Sequence, residues 1–248
     1  MRHQLLSNFI FYLFCWIVTS FSGIVQAFYM AIDGYFADEF YGPFVFWFGL
    51  CFRASSTATS FAVAFLLLDR IAILTWPISF VRLQRCFITL SMIVSMASGL
   101  FLIVAIPLVE PRLSKTTSCS IFVCLLKVFP STVLPAMKTW PGIFTVIFTF
   151  IFAFKLIRYE REDVRIQQSL RQAHIITMIP CCSELFLNLL PYFLWTIILY
   201  IKGNHLNDMG PITSLFLATD SIVSAVCYRI TLNKKQSSKI SSIGTRLQ

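Results

Sequence analysis

The sequence predicts an all-α membrane protein, a polytopic bundle of transmembrane helices with six spans. Hydrophobic residues make up 57% of the 248 residues and charged residues only 12%, whereas a soluble domain is about one quarter charged. The apolar residues are gathered into continuous stretches of ~20 residues, the length that crosses a bilayer as a helix. No stretch alternates apolar and polar residues as barrel strands do. Because every backbone polar group in hydrocarbon must be paired internally, helices are the expected structure.

Six apolar runs define the predicted spans. They extend over Asn8–Ala31, Phe44–Leu68, Phe87–Val109, Gly142–Ile157, His174–Ile201 and Pro211 to about Cys227. Residues 1–230 are thus expected to form one transmembrane bundle, and residues 231–248 a basic tail. The segments between the runs are expected to be loops, including a basic loop with Arg82 and Arg85 and a long loop from Glu110 to about Trp140.

The distribution of lysine and arginine predicts the orientation. With six spans, 14 of the 20 basic residues fall on one side: Arg2, the 70–85 loop, the 155–171 stretch and the tail. Five fall on the other side and Arg53 lies within a span. The positive-inside rule therefore places both termini in the cytoplasm. The same rule accounts for the net charge of +9, so the bilayer and not a nucleic acid is the expected partner. A cleavable signal peptide is a weaker interpretation of the start, because its apolar region would be only ~7–15 residues long.

Motifs of soluble enzymes are missing from the sequence. It contains no Walker loop, no G-x-G-x-x-G and no H-E-x-x-H. The three histidines fall near different membrane boundaries, so a shared metal is not expected. We therefore expect neither enzymatic activity nor a cofactor.

Three cysteines are candidates for a disulfide on the outer side. Under the predicted orientation, Cys119 and Cys124 lie in the long outer loop and Cys51 lies near the outer end of the second run. A bond between two of them would tie the loop down in an oxidising compartment. The alternative is free cysteines in a loose loop, and the choice of partners stays open.

The junction after the second run is the most informative stretch. Asp69 and Arg70 end the run on the cytoplasmic side, and Pro77 follows seven residues after the arginine. One interpretation is an ordinary helix end, since charge at a membrane boundary costs little. The other is the inner switch of a rhodopsin-like receptor, in which the acid holds the arginine at rest and releases it towards a G protein.

Three charged residues are predicted near the middle of the membrane. Arg53, Glu184 and Asp220 lie nine or ten residues inside their runs, which corresponds to a depth of ~14–15 Å. Each unpaired charge would cost at least ~2.5–3.5 kcal/mol, so we expect the three to face the interior and pair. They would either line a ligand cavity or form an ion pair that only fixes helix packing. Pro191 is expected to kink the fifth run and act as a hinge.

Four segments of the chain resemble the nematode serpentine chemoreceptors, most closely class BC (Srbc). The acid–arginine junction is similar to the end of that family's third helix, where glutamate is commoner than Asp69. The other three similar segments are Cys119–Cys124 in the second outer loop, Phe186–Pro191 in the sixth helix, and Met209–Pro211 with Tyr228–Leu232 in the seventh.

The resemblance implies a rhodopsin-like receptor of the plasma membrane, in the cilia of sensory neurons. It would bind odorants or other small molecules and couple to a heterotrimeric G protein. The family has seven helices and the first run would match its second, so a leading helix is expected to be missing. Asp220 also lacks a following proline, so the N-P-x-x-Y motif is absent. The alternative functions are a six-helix transporter or channel and a non-signalling truncated receptor.

Overall fold

The fold is all-helical over the part of the chain that the structure describes. A computed structural model describes residues 2–36, 40–110, 115–117, 122–126 and 133–162, with isolated residues between 178 and 229. Four long helices dominate: α1 Arg2–Phe36, α2 Gly42–Thr75, α3 Pro77–Val109 and α4 Val133–Glu162. The remaining elements are two short strands, β1 Phe40–Tyr41 and β2 Thr116–Thr117, and the 3₁₀ turn Phe122–Leu125.

Each of the four helices is long and apolar enough to span a membrane. The candidate spans are Asn8–Ile32, Gly42–Thr75, Leu83–Val109 and Met137–Arg158. Each contains one of the first four predicted runs, so those predictions are confirmed and the chain is a polytopic helical membrane protein. The fifth and sixth runs lie largely outside the described residues, and their spans stay predictions.

Two of the predicted loops are wrong in part, because helices replace them. Arg82 and Arg85 lie within α3, and only Trp76 separates α2 from α3. Pro77 occupies the first turn of α3, where its fixed φ favours a helix start and its missing N–H is not needed. The end of the predicted outer loop, from residue 133 to residue 140, likewise belongs to α4. Hydropathy marks where a helix leaves the membrane and not where the helix ends.

Helix α2 is the central helix of the described bundle. It packs against α1, α3 and α4. Within the apolar window of each span, 61% of the residues of α2 are buried, compared with 33%, 28% and 22% for α1, α3 and α4. Its middle is rich in small residues, and a Cβ placed on Gly99 of α3 would lie 3.1 Å from the carbonyl oxygen of Ala54. Small residues allow this close approach of helix backbones, which drives association in membranes.

Helices α1 and α2 are antiparallel, and a buried hydrogen bond joins them near the middle of both. The side-chain oxygens of Thr19 and Thr59 lie 3.2 Å apart. Residues spaced three and four apart form the buried polar and apolar face of α1: Asn8, Tyr12, Cys15, Thr19, Ser22 and Gln26. This spacing places all six on one side of the helix. The threonine pair therefore fixes the register of the two helices at mid-span.

The loop that follows α3 covers one end of the bundle, which is the end predicted to be the outer one. β1 and β2 pair antiparallel, with Phe40 opposite Thr117 and Tyr41 opposite Thr116, and the Gly42 N–H donates to the Lys115 carbonyl at 3.0 Å. The 3₁₀ turn then inserts Phe122, 1% exposed, into an apolar cluster with Phe46, Leu50, Ala54, Leu102 and Ile106. A short sheet and one aromatic side chain thus hold the loop on the helices.

Gly49 provides the space that Phe122 occupies. A Cβ at residue 49 would lie 2.9 Å from Cγ of Phe122 and closer still to its Cβ. We therefore expect Gly49→Ala to destabilise the protein by about 1–3 kcal/mol, the usual cost of overpacking. The measurement is the midpoint of thermal unfolding in detergent.

The control for this prediction is the same substitution in a Phe122→Gly background, which lacks the opposing Cβ. There Gly49→Ala should cost nothing further, because coupled sites are non-additive. An equal loss in both backgrounds would show that Gly49 acts through another contact.

Candidate ligand cavity and inner switch

Arg53 lies between two residues of α2 that make close contacts with neighbouring helices. It is half-buried on α2, eleven residues from the start of that helix at Gly42, or ~16 Å along its axis. Its neighbour Ala54 faces Gly99 of α3, and its other neighbour Phe52 places a ring atom 2.9 Å from a Cβ built on Gly23 of α1. The backbone of Arg53 is thus held where α2 packs closely against both α1 and α3.

Asp220 is also placed in the protein interior. Only 3% of its surface is exposed, an environment in which a charge is costly unless it is paired. Glu184 and the predicted hinge Pro191 lie outside the described residues. The pairing of Arg53 with Asp220 or Glu184 therefore stays a prediction.

Hydroxyl groups make up most of the other buried polar atoms in the four helices. Most of them are satisfied within their own helix: Thr57 donates to the Arg53 carbonyl at 2.9 Å, and Thr145 to the Pro141 carbonyl at 2.9 Å. Ser95 of α3 is fully buried, and its hydroxyl has no partner among the described residues. These groups can exchange hydrogen bonds between helices without burying further charge.

The Asp69–Arg70 pair is buried near the C-terminal end of α2, which is predicted to be its inner end. Asp69 is 1% exposed and Arg70 6% exposed, although both were predicted at the edge of the membrane. They precede the last residue of α2, Thr75, by six and five residues. The guanidinium of Arg70 and the amide of Asn8 of α1 both lie near the Asp69 carboxyl. A buried charge that loses its partner is strongly destabilising. The stability of this part of the protein therefore depends on the groups that surround the Asp69 carboxyl.

The connection from this pair to the next helix is short. The Trp76 N–H donates to the Ala72 carbonyl at 2.8 Å, and Pro77 opens α3 at the next position. The Trp76 side chain is 64% exposed. A displacement of the inner end of α2 would therefore move α3 directly.

Two residues of this site were missed by sequence reasoning. Asn8 was predicted only as the start of the first run, and its spacing from Tyr12 and Thr19 on one face of α1 was the available signal. Phe122 gave no signal, because an aromatic residue between two cysteines is equally compatible with an exposed loop.

The three predicted disulfide candidates are described only in part. Cys51 is an exposed free thiol, whereas Cys119 and the side chain of Cys124 lie outside the described part. A disulfide between these two cysteines stays a prediction. Among the described residues, no three His, Cys, Asp or Glu side chains are grouped closely enough to hold a metal.

Comparison with known proteins assigns the chain to a family. The model of the family described as serpentine type 7TM GPCR chemoreceptor Srbc matches residues 2–236. The chain belongs to this family, which is a family of membrane receptors and not of enzymes. No significant match was found among curated proteins or solved structures.

Proposed function

We propose, on the premise of this family membership, that the chain is a G-protein-coupled chemoreceptor for odorants or other small molecules. In this proposal it forms six spans of a rhodopsin-like bundle in the plasma membrane of sensory cilia. Both termini are cytoplasmic, and the basic tail of residues 231–248 lies against anionic lipid. The four candidate spans and the central position of α2 support the architecture.

The proposed ligand cavity lies midway along the bundle. Arg53, Glu184 and Asp220 supply its charged groups, and the hydroxyl groups of α2 and α3 supply further hydrogen bonds. A ligand enters from the outer side and shifts the bundle between two packings. The free energy available for this shift is the difference in its affinity for the two packings.

The observation that carries the proposal is the buried acid–arginine pair on the central helix. At rest Asp69 holds Arg70 inside the protein, and activation releases the guanidinium towards the G protein. Because α2 contacts α1, α3 and α4, a rearrangement around the ligand can be transmitted to this pair along one rigid element.

Neutralising Asp69 is expected to activate the receptor without ligand. Asp69→Asn keeps the shape of the side chain and removes the charge that holds Arg70. If this charge contributes ~1.4 kcal/mol to the resting packing, basal activity rises about tenfold. The measurement is GTPγS binding by purified heterotrimeric G proteins of the stimulatory, inhibitory and phospholipase-coupled classes.

Two further variants serve as controls for this result. Glu110→Gln makes the matched change at the outer end of α3 and should leave exchange unchanged. Adding Arg70→Leu to Asp69→Asn should abolish the rise, since the released group is then absent. Unchanged exchange for Asp69→Asn at normal surface expression would overturn the proposed switch.

Replacing Arg53 is expected to abolish ligand responses. Arg53→Met keeps an unbranched apolar stem and removes the guanidinium charge, so calcium responses to a panel of small volatile compounds should fall more than tenfold. The control is Arg85→Met, which removes an exposed guanidinium from the inner part of α3. Unchanged responses with intact surface expression would exclude a role for Arg53 in the cavity.

The proposed orientation is tested with epitope tags. A tag after Gln248 should be labelled only in permeabilised cells, whereas a tag inserted between Pro130 and Ser131 should be labelled in intact cells. Labelling of the C-terminal tag on intact cells would place Asp69 and Arg70 outside and would rule out the proposed switch.

A further inference from the structure

Asn8 of α1 and Asp69 of α2 lie at the same level of the bundle. The contact between Thr19 and Thr59 fixes the register of these antiparallel helices. Asn8 precedes Thr19 by eleven residues and Asp69 follows Thr59 by ten. At ~1.5 Å per residue, the two side chains lie ~16.5 Å and ~15 Å from the threonine pair in the same direction. The apolar neighbours of Asn8 and Asp69 support this register, because Phe11 and Tyr12 of α1 belong to the same buried cluster as Leu67 of α2.

Both side chains are buried and incompletely hydrogen-bonded. Asn8 is 3% exposed and Asp69 1% exposed. Neither Nδ2 nor Oδ1 of Asn8, and not Oδ1 of Asp69, has a hydrogen-bond partner among the described residues. Asn8 is nevertheless close enough to act on the Asp69 carboxyl. A buried polar group without a partner is unfavourable, so a small movement that joins these two groups is favoured.

Asn8 differs in this respect from other polar residues on the same face of α1. Thr19 donates to the Cys15 carbonyl at 2.8 Å, and Ser22 donates to the Val18 carbonyl at 2.9 Å. These hydroxyl groups are satisfied by their own helix. The amide of Asn8 has a donor and an acceptor to satisfy, and the carboxyl of Asp69 is the acceptor at its level.

We propose that Asn8 is a positioning residue of the inner switch, which donates from Nδ2 to the Asp69 carboxylate and stabilises the resting packing. This inference rests on the proposed function, because the switch is Asp69 with Arg70. A carboxylate accepts several hydrogen bonds, so Asn8 and Arg70 act on Asp69 together. Asn8 thereby couples the inner end of α1 to the release of Arg70.

The test is basal GTPγS binding by the same three classes of heterotrimeric G protein, with the full chain in detergent. Asn8→Leu should raise basal exchange about three- to tenfold, within the range that one interhelical hydrogen bond in a membrane allows. Asn8→Thr keeps a donor and should give a smaller rise. Adding Asn8→Leu to Asp69→Asn should change nothing further, because the group that Asn8 positions has lost its charge.

The matched control is Gln26→Leu. It removes an amide from the same buried face of α1, eighteen residues away, or ~27 Å along the helix. Basal exchange should stay at the level of the unmodified chain, although unfolding temperature can change in both variants. A purely structural role for Asn8 would lower the unfolding temperature and leave exchange unchanged.

The outcomes separate this inference from the proposed function. A rise with Asp69→Asn but not with Asn8→Leu overturns the role of Asn8 and leaves the switch intact. No rise with Asp69→Asn for any of the three G-protein classes overturns the switch, and the role of Asn8 with it. If Asn8→Leu is not expressed, Asn8→Ala removes the amide without adding bulk and has the same expected result.

Discussion

Helices in a membrane gain little from hydrophobic attraction, because lipid is as apolar as their side chains, so the bundle depends on close backbone approach and interhelical hydrogen bonds. Helix α2 makes both kinds of contact with its neighbours. Gly99 lets α3 approach the backbone of Ala54, and Thr19 of α1 reaches Thr59. The same close packing makes α2 the most buried of the four described spans. Of the charged residues on this helix, Asp69 and Arg70 are buried and Arg53 is half-buried.

The central position of α2 also connects the two ends of the receptor. Gly49 receives Phe122 of the outer loop, Arg53 lies one turn further in, and Asp69 lies a further sixteen residues along the helix. From Gly49 to Asp69 is ~30 Å along the axis. Coupling over such distances requires an element with two arrangements that both sites favour differently. A helix packed against three others can be such an element, because a small rotation of the helix changes its contacts with all three neighbours along its whole length.

Hydropathy predicted the four described spans because burial in lipid requires long apolar runs. It failed at the charged residues Arg82 and Arg85, since a helix can continue into water without any apolar signal. The contact of Asn8 with Asp69 and the insertion of Phe122 beside Gly49 were not predictable for a different reason. They depend on the register between segments far apart in sequence, which the spacing within one segment does not determine.

A structural ion pair alone does not account for the inner end of α2. Replacing a buried ion pair by apolar residues is often neutral or stabilising, so packing does not require the charges of Asp69 and Arg70. Around Asp69, moreover, buried polar atoms of the carboxyl and of Asn8 are left without hydrogen bonds among the described residues. An arrangement that is incompletely satisfied differs little in free energy from its alternatives. That small difference is what a switch requires, because the ligand can supply only its differential affinity.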